Sequence, residues 1–328
     1  MSFSGIVGHQ RQLETLRHGL ANGHLHHAYL FVGPFGIGKR TIALTLAKAI
    51  HCNERNGDSC NECSNCARIQ TSNHPDVRVV EPLPGKKEIS IDQIREIQRE
   101  LNFRSFSGGK KIAILDPATL INWTAQNALL KTLEEPPPDS VLILVSPTAG
   151  GLLPTLRSRC FCISFGPLPR DVVAQFLISR KAKTAQEAES LAAMSMGSLA
   201  KAIHMEQDAL LKNRQAWMEK LSSLAPGNYR VAAEMAEKLA VNREECLKFL
   251  DWAEGWSRDL AVYCAGGNPQ VVVNLDMLAQ IRSLAAQQGL DRLLEIHSQT
   301  SQAAARIHRN VNRRMVLESL FFTIVGTR

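Results

Sequence analysis

Residues 29–41 read Tyr29-Leu30-Phe31-Val32-Gly33-Pro34-Phe35-Gly36-Ile37-Gly38-Lys39-Arg40-Thr41. Four β-prone residues run into a glycine-rich turn, and Thr41 to Ile50 then has helical spacing, with Ile42, Leu46 and Ala49 on one face. A strand, a tight turn and a helix N-terminus in that order aim backbone N–H groups at one point, which is the geometry that holds a polyphosphate. Gly-x4-Gly-Lys alone arises by chance in roughly one chain in ten of this length, so the flanking strand and helix carry the reading. Gly33, Gly36, Gly38 and Lys39 are the candidate nucleotide-binding residues.

Working outward, four more short apolar, β-branched runs have the character of buried parallel strands: Val77–Val80, Ile112–Leu115, Val141–Val145 and Phe161–Phe165. Helical stretches alternate with them, notably Ile91–Leu101 and Asn122–Glu135, the latter stopped by Pro136, Pro137 and Pro138. This alternation predicts a doubly wound α/β domain with ligands at the carboxyl ends of its strands. After Phe165 the strand signal ends. Gly166, Pro167 and Pro169 form a linker, Asp171–Arg180 and Ala185–Met194 read as helices, and the pattern from about residue 207 is helical throughout. Ala232–Leu239, Glu244–Cys264, Met277–Gln288, Leu290–Arg306 and Asn312–Val325 carry the three- and four-residue apolar spacing. The expected organisation is an α/β domain over 1–166, a small helical lid over 167–206 and an all-α domain over 207–328.

The parts that run hydrolysis depart from what the loop calls for. In a working phosphate-loop ATPase a Ser or Thr follows the Lys and holds Mg²⁺, and a second strand supplies an Asp to the metal. Here that position is Arg40. The second strand ends Ile114-Leu115-Asp116-Pro117, so Asp116 is retained while Pro117 carries no proton acceptor.

Cys52, Cys60, Cys63 and Cys66 form the second constellation. Two consecutive i, i+3 steps and one cysteine eight residues upstream can bring four thiolates onto one tetrahedral ion, with Zn²⁺ the expected occupant at about 2.3 Å from each sulfur. Asn53, Asn56, Gly57, Asp58, Ser59 and Asn61 supply the turns. Four protein ligands leave no open position, so the zinc is read as structural. The polar insertion holds little apolar material, and the metal takes the place of its core. Cys160, Cys162, Cys246 and Cys264 sit among apolar residues and are expected in the core. His24, His26 and His27 invite a metal reading too, but four cysteines already suffice.

Composition bounds the rest. The 328 residues are 45% hydrophobic, 21% charged and 5% aromatic, with a net charge of +7. That balance describes an ordinary soluble domain set without a base-stacking surface, and the positive charge is compatible with a nucleic-acid partner. Met1 to Gln10 has no basic segment leading into an apolar core, and no apolar run reaches about 18 residues, so a cytoplasmic location is expected. Lys110, Lys111, Arg95, Arg99 and Arg104 read either as a track for DNA phosphate or as a solvated amphipathic face interleaved with Glu96 and Glu100. Arg306, His308, Arg309, Arg313 and Arg314 form a second basic cluster.

The combination resembles the bacterial clamp-loader group of the AAA+ ATPase family over most of the chain. Ile6-Val7-Gly8-His9-Gln10 is similar to the group's entry motif, Gly33–Lys39 to its Walker A, Lys111–Asp116 to its Walker B, and the cysteine insertion (52–66) to its zinc module. Ala125–Pro137, reading AQNALLKTLEEPP, is similar to a signature block. Ser158-Arg159-Cys160 matches a motif that, in these assemblies, presents an arginine to a neighbouring subunit's nucleotide; the alternative is that Arg159 caps the preceding turn or pairs with an acid of its own chain. The resemblance implies an AAA+ domain, a lid and a helical collar, and it assigns the second basic cluster to intersubunit or solvent contacts. Its Walker B normally continues with a Glu that polarises the attacking water, and Pro117 stands there. Gly197-Ser198-Leu199 is followed by Ala200, where motor subunits carry an Arg; Lys201 is one position off and points about 100° away on a helix. With His74-Pro75-Asp76 after the zinc module, these departures imply a stator. The resemblance thus implies a non-catalytic subunit of a DNA polymerase holoenzyme, without ATPase activity of its own, lending Arg159 as a trans finger. The implied partners are motor ATPase (gamma/tau-type) and delta subunits in a hetero-oligomeric ring, with primer-template DNA and the sliding clamp reached through the complex. The competing readings are an active AAA+ motor, either a clamp-loader ATPase or a branch-migration helicase, and a free-standing zinc-containing DNA-binding module. Arg40, Pro117 and Ala200 together argue against a motor, and the low aromatic content against a DNA-binding module.

Overall fold

A computed structural model describes residues 1–54, 57–204, 209–222, 224, 226–267, 271–274, 277–308 and 311–326. Asn56 of the cysteine insertion and Arg309 of the basic cluster lie outside the described residues. The chain forms two compact units, residues 1–176 with 197–201, and residues 177–196 with 202–328.

The first unit begins with a 3₁₀ turn at Phe3–Gly5 and runs through α1 (Gln10–Ala21), β1 (Ala28–Val32), α2 (Lys39–His51), α3 (Ser64–Gln70), β2 (Val77–Val80), α4 (Ile91–Asn102), β3 (Lys111–Leu115), α5 (Trp123–Glu134), β4 (Ser140–Ser146), α6 (Pro154–Arg157) and β5 (Phe161–Ser164). The five strands form one parallel sheet in the order β2-β3-β4-β1-β5. Side chains alternate between its faces with period two. On one face Tyr29, Phe31, Ile112, Ile114, Val141, Ile143 and Val145 pack with Ile42 and Leu46 of α2. On the other Leu30, Ala113, Leu115, Leu142 and Leu144 pack with Ile94 and Ile97 of α4 and Leu129 and Leu133 of α5. Burial on both faces is why β1, β3 and β4 read as unbroken apolar runs.

Local signals set the helix ends. Ser90 and Gln93 form a reciprocal capping box at α4. The Asn122 side chain accepts from the N–H of Ala125 at the start of α5. Each strand expected from the sequence is present within a residue or so at its ends. The core assignment for Cys162 is corrected: it is exposed. Its strand, β5, is the sheet edge and is largely exposed, so an apolar run there does not mean burial on both sides.

α7 (Arg170–Lys181) passes from the first unit into the second, which continues with α8 (Ala185–Met194), α9 (Leu199–His204, starting in the first unit), α10 (Ala209–Ser222), α11 (Tyr229–Ala240), α12 (Arg243–Cys264), α13 (Leu278–Ala285), α14 (Leu290–His308) and α15 (Arg313–Val325). Around α12, Trp217, Phe249, Trp252, Trp256 and Phe321 form a continuous aromatic core. No helix among the described residues is long and apolar enough to cross a membrane.

Candidate functional site

The phosphate loop leaves β1 at the carboxyl edge of the sheet and ends at α2, whose N-cap is Gly38. Packing explains two of its glycines. A Cβ on Gly33 would lie 2.1 Å from the Phe165 carbonyl oxygen, and one on Gly36 would lie 2.4 Å from Ser198 Oγ and 2.7 Å from the Ala200 Cβ. Gly38 differs: its φ of +105° favours glycine, while no atom comes within 4 Å of the space a Cβ would fill. The Ala200 N–H donates to the Gly36 carbonyl at 3.0 Å, so the segment around Gly197–Ala200 is fastened to the loop at the position where motors carry an arginine. His9 of the entry motif is 3.0 Å through Nε2 from the Ile37 carbonyl and bears edge-on against Phe165.

Lys39 is buried, and its Nζ donates to the carbonyls of Gly33 at 2.6 Å and Pro34 at 2.7 Å. Burial pushes its ammonium below the usual lysine value, with the charge of Asp116 working the other way. Asp116 stands one residue beyond β3, and burial raises its carboxyl above the usual range against the pull of Arg40. The Arg40 guanidinium bridges two acids, pairing closely with Glu81 and lying 3.4 Å from Asp116 Oδ2. Hydrogen bonding to Glu81, with the nearby charge of Asp116, raises its pKa above the usual arginine value against burial. Glu81 was not anticipated from the sequence, but a signal exists. β2 and β3 pair with Val80 opposite Leu115, so the residues that follow them, Glu81 and Asp116, emerge side by side.

Arg159 follows α6 and is part-exposed. Its guanidinium lies 2.6 Å from Glu134 Oε1 and donates to the Thr155 carbonyl at 2.8 Å. Glu134 belongs to the AQNALLKTLEEPP block at the end of α5, so two separately recognised motifs meet here.

Cys52, Cys60, Cys63 and Cys66 converge, with their sulfurs all within 4.8 Å of one another. Cys52 follows α2 and Cys66 lies in the first turn of α3. A tetrahedral ion about 2.3 Å from each sulfur requires sulfurs roughly 3.8 Å apart, and Cys60 and Cys66 stand at 4.0 Å. Backbone N–H groups of Cys60, Cys63 and Cys66 point at the sulfurs of Cys52, Cys60 and Cys63 at 3.3, 3.3 and 3.5 Å, an arrangement suited to thiolates. Burial opposes ionisation of Cys63, yet N–H donation from Asn53 and Cys66 and its thiol neighbours bring it down to about 6. The four cysteines therefore can hold a metal ion, and His24, His26 and His27 join no comparable group among the described residues. The insertion also grips the start of the chain: Asp58 accepts from the N–H groups of Phe3 and Ser4, and Ser59 donates to the Met1 carbonyl.

One basic candidate is displaced from the surface. Lys111 is buried and pairs with Asp76 at 3.6 Å, so it faces away from any DNA track. Arg95, Arg99 and Arg104 are exposed, and Lys110 pairs with Asp139 at 3.2 Å. In the second unit Arg314 pairs with Glu237 and Glu318.

A parallel sheet in the order 2-3-4-1-5, a glycine-rich loop feeding α2 and an aspartate closing β3 define the AAA+ class of phosphate-loop proteins, here with the metal and water positions altered. A family model described as DNA polymerase III, delta subunit, matches residues 8–169, and one described as DNA polymerase III, delta subunit, C terminal, matches residues 208–325. The DNA polymerase III subunit delta' of Pseudomonas aeruginosa is 31% identical over 90% of this chain and 90% of its own length. That of Escherichia coli K12 is 30% identical over 92% of this chain and 90% of its own. The gamma/tau subunit of Mycoplasma pneumoniae is 34% identical, over 60% of this chain and 29% of its own length. The chain belongs to the delta-prime family of DNA polymerase III, within the clamp-loader group.

Proposed function

We propose that this chain is a stator: a clamp-loader subunit that does not hydrolyse ATP and completes a neighbouring ATPase site with Arg159. The observation that carries the reading is Arg40 lying across Asp116 while Pro117 occupies the next position. The metal carboxylate is engaged by a side chain of the protein, and the group that would polarise water is absent. Arg159 stabilises charge on a partner's γ-phosphoryl oxygens, an effect worth roughly 10³ to 10⁵ in rate where arginine fingers act. In isolation it rests on Glu134 and the Thr155 carbonyl. A part-exposed pair of this kind is worth about 1 kcal/mol or less, so a neighbour's phosphates can draw the guanidinium away.

Cys52, Cys60, Cys63 and Cys66 hold structural zinc, and Gly33, Gly36, Gly38, Lys39 and Asp116 form a degenerate nucleotide site. Residues 167–206 act as lid and 207–328 as the oligomerising collar. The partners are gamma/tau and delta subunits in the ring, with primer-template DNA and the sliding clamp, in the cytoplasm. Support for that assembly comes from the match to delta-prime relatives along nearly the whole chain.

The test is reconstitution. The purified chain alone should turn over ATP no faster than a protein-free control. Adding it to gamma/tau, delta, clamp and primed DNA should raise their ATPase rate. Turnover by the chain alone that disappears with Lys39→Ala would make it a motor.

A further inference from the structure

We propose that Arg40 excludes the divalent ion from this phosphate loop, so that a nucleoside polyphosphate enters as the free anion and not as its magnesium complex. The inference rests on reading residues 33–39 as a phosphate loop and adds the form of ligand the loop accepts. At such loops Mg²⁺ sits between the hydroxyl after the Lys and a carboxylate from a neighbouring strand. Here the residue after Lys39 brings a cation in place of a hydroxyl. Its guanidinium lies 3.4 Å from Asp116 Oδ2 and also engages Glu81.

Charge and geometry both oppose a second cation. Arginine is charged at every working pH, donates only, and cannot serve as a ligand. Mg²⁺ demands six oxygens in near-ideal octahedral geometry at 2.0–2.1 Å and releases its water reluctantly. An ion drawn to Asp116 would meet a fixed positive charge already held at the same carboxylate. Glu81 does not restore the balance in the ion's favour, because it is paired with the same guanidinium. The pair is tied to the framework at both ends. Arg40 lies in the first turn of α2, and the two acids follow strands joined at Val80 and Leu115.

A phosphate keeps its own partners. Lys39 Nζ is held by two neutral carbonyls, Gly33 and Pro34, which are weaker acceptors than a phosphate oxygen. The Gly38 turn leaves open space beside the first residues of α2. Arg40 and Lys39 thus supply the positive charge that a metal supplies elsewhere, and the bound nucleotide has no ion to assist transfer of its terminal phosphoryl group.

The experiment measures equilibrium binding of a fluorescent N-methylanthraniloyl-ADP to the zinc-loaded full chain, in metal-depleted buffer free of chelator, with and without excess MgCl₂. Expected for the unaltered chain is binding that Mg²⁺ leaves unchanged or weakens, because the ion competes for the free anion. Arg40→Thr restores the hydroxyl and frees Asp116, so Mg²⁺ should then tighten binding about tenfold or more. Arg40→Lys keeps a cation and should stay indifferent to Mg²⁺, which separates exclusion by charge from loss of the loop's structure. Tightening by Mg²⁺ in the unaltered chain, indifference of Arg40→Thr, or no nucleotide binding in either buffer would each overturn the proposal. Magnesium-dependent binding without turnover defeats this inference alone, whereas magnesium-dependent turnover of ATP by the chain alone defeats the stator reading as well.

Discussion

Replacing Asp76 by alanine should destabilise the first unit by about 4 kcal/mol, the middle of the range for stranding one member of a buried ion pair. The carboxylate is fully enclosed. It accepts from the hydroxyls of Ser105 at 2.8 Å and Ser107 at 2.6 Å and from the N–H groups of Phe106 at 2.9 Å and Ser107 at 2.8 Å, and it faces Lys111 Nζ at 3.6 Å. Alanine leaves the Lys111 ammonium buried without a counter-charge. The N–H groups of Phe106 and Ser107 add less than their full desolvation cost, because both residues are exposed and water can reach them. A loss of 4 kcal/mol corresponds to roughly a thousandfold rise in opening. Native-state amide exchange over Val77–Val80 and Lys111–Leu115, read by mass spectrometry, should accelerate by that order, with Tyr229–Ala240 and Arg313–Val325 unchanged. The double change Asp76→Leu, Lys111→Met should recover more than half of the loss, since removing both charges leaves none stranded. Acceleration of less than tenfold in the alanine variant would refute this account of the pair. Protonation should act in the same direction. Burial opposes the charge on Asp76, but hydrogen bonds from Ser107, Phe106 and Ser105 hold its carboxyl well below the usual carboxylate range. The folded value is the lower one, so the stabilisation is present above the unfolded pKa near 4 and is lost as pH falls below it. Asp76→Asn should flatten that acid dependence in a circular-dichroism titration.

Metal analysis should find about one zinc per chain. Chelation or Cys63→Ser should speed amide exchange in residues 57–70 and also in Met1–Gly5, which Asp58 and Ser59 hold; an unaffected N-terminus would show that the insertion does not anchor it. Pro117→Glu should leave ATP turnover at background, because Arg40 still engages Asp116 and Ala200 still stands where motors carry an arginine; measurable hydrolysis would mean that one carboxylate was all the site lacked. Arg159→Ala should preserve assembly and zinc content and lower the clamp-stimulated ATPase of the complex, with Arg159→Lys nearly as poor since an ammonium lacks the planar fork. Full ATPase and clamp-loading rates in a complex containing the alanine variant would remove the finger role.

Much of this molecule is legible from residue order because its signals are local. β1, β3 and β4 are buried on both faces, so each reads as an unbroken apolar run of strand length. Asn122 and the three prolines from 136 bracket α5 without help from the rest of the fold. The four cysteines needed only their spacing. α1 does not stand out in the sequence, because its buried side rests on Leu13 and Leu16 amid ten mostly polar neighbours, too narrow a stripe. Cys162 and Lys111 went to the wrong environments because each depends on what lies across the sheet or loop from it. Cys162 is on a strand with one neighbour, and Lys111 turns inward to an acid 35 positions away in sequence.

By itself the sequence determined the sheet, the glycine-rich loop, the four-cysteine cluster and the presence of Arg40 and Pro117 after Lys39 and Asp116, since each follows from residue type at short spacing. Only the tertiary structure decided what the replacement residues do. Arg40 reads in sequence as a missing hydroxyl; in the fold it is a cation across Asp116 and Glu81, because pairing β2 with β3 brings out their next residues together. Arg159 reads in sequence either as a finger or as a residue held within its own chain, and the fold supplies the partner, Glu134 from a different motif. Interactions between charges depend on distances in space, and chain order leaves those distances open until the sheet has formed.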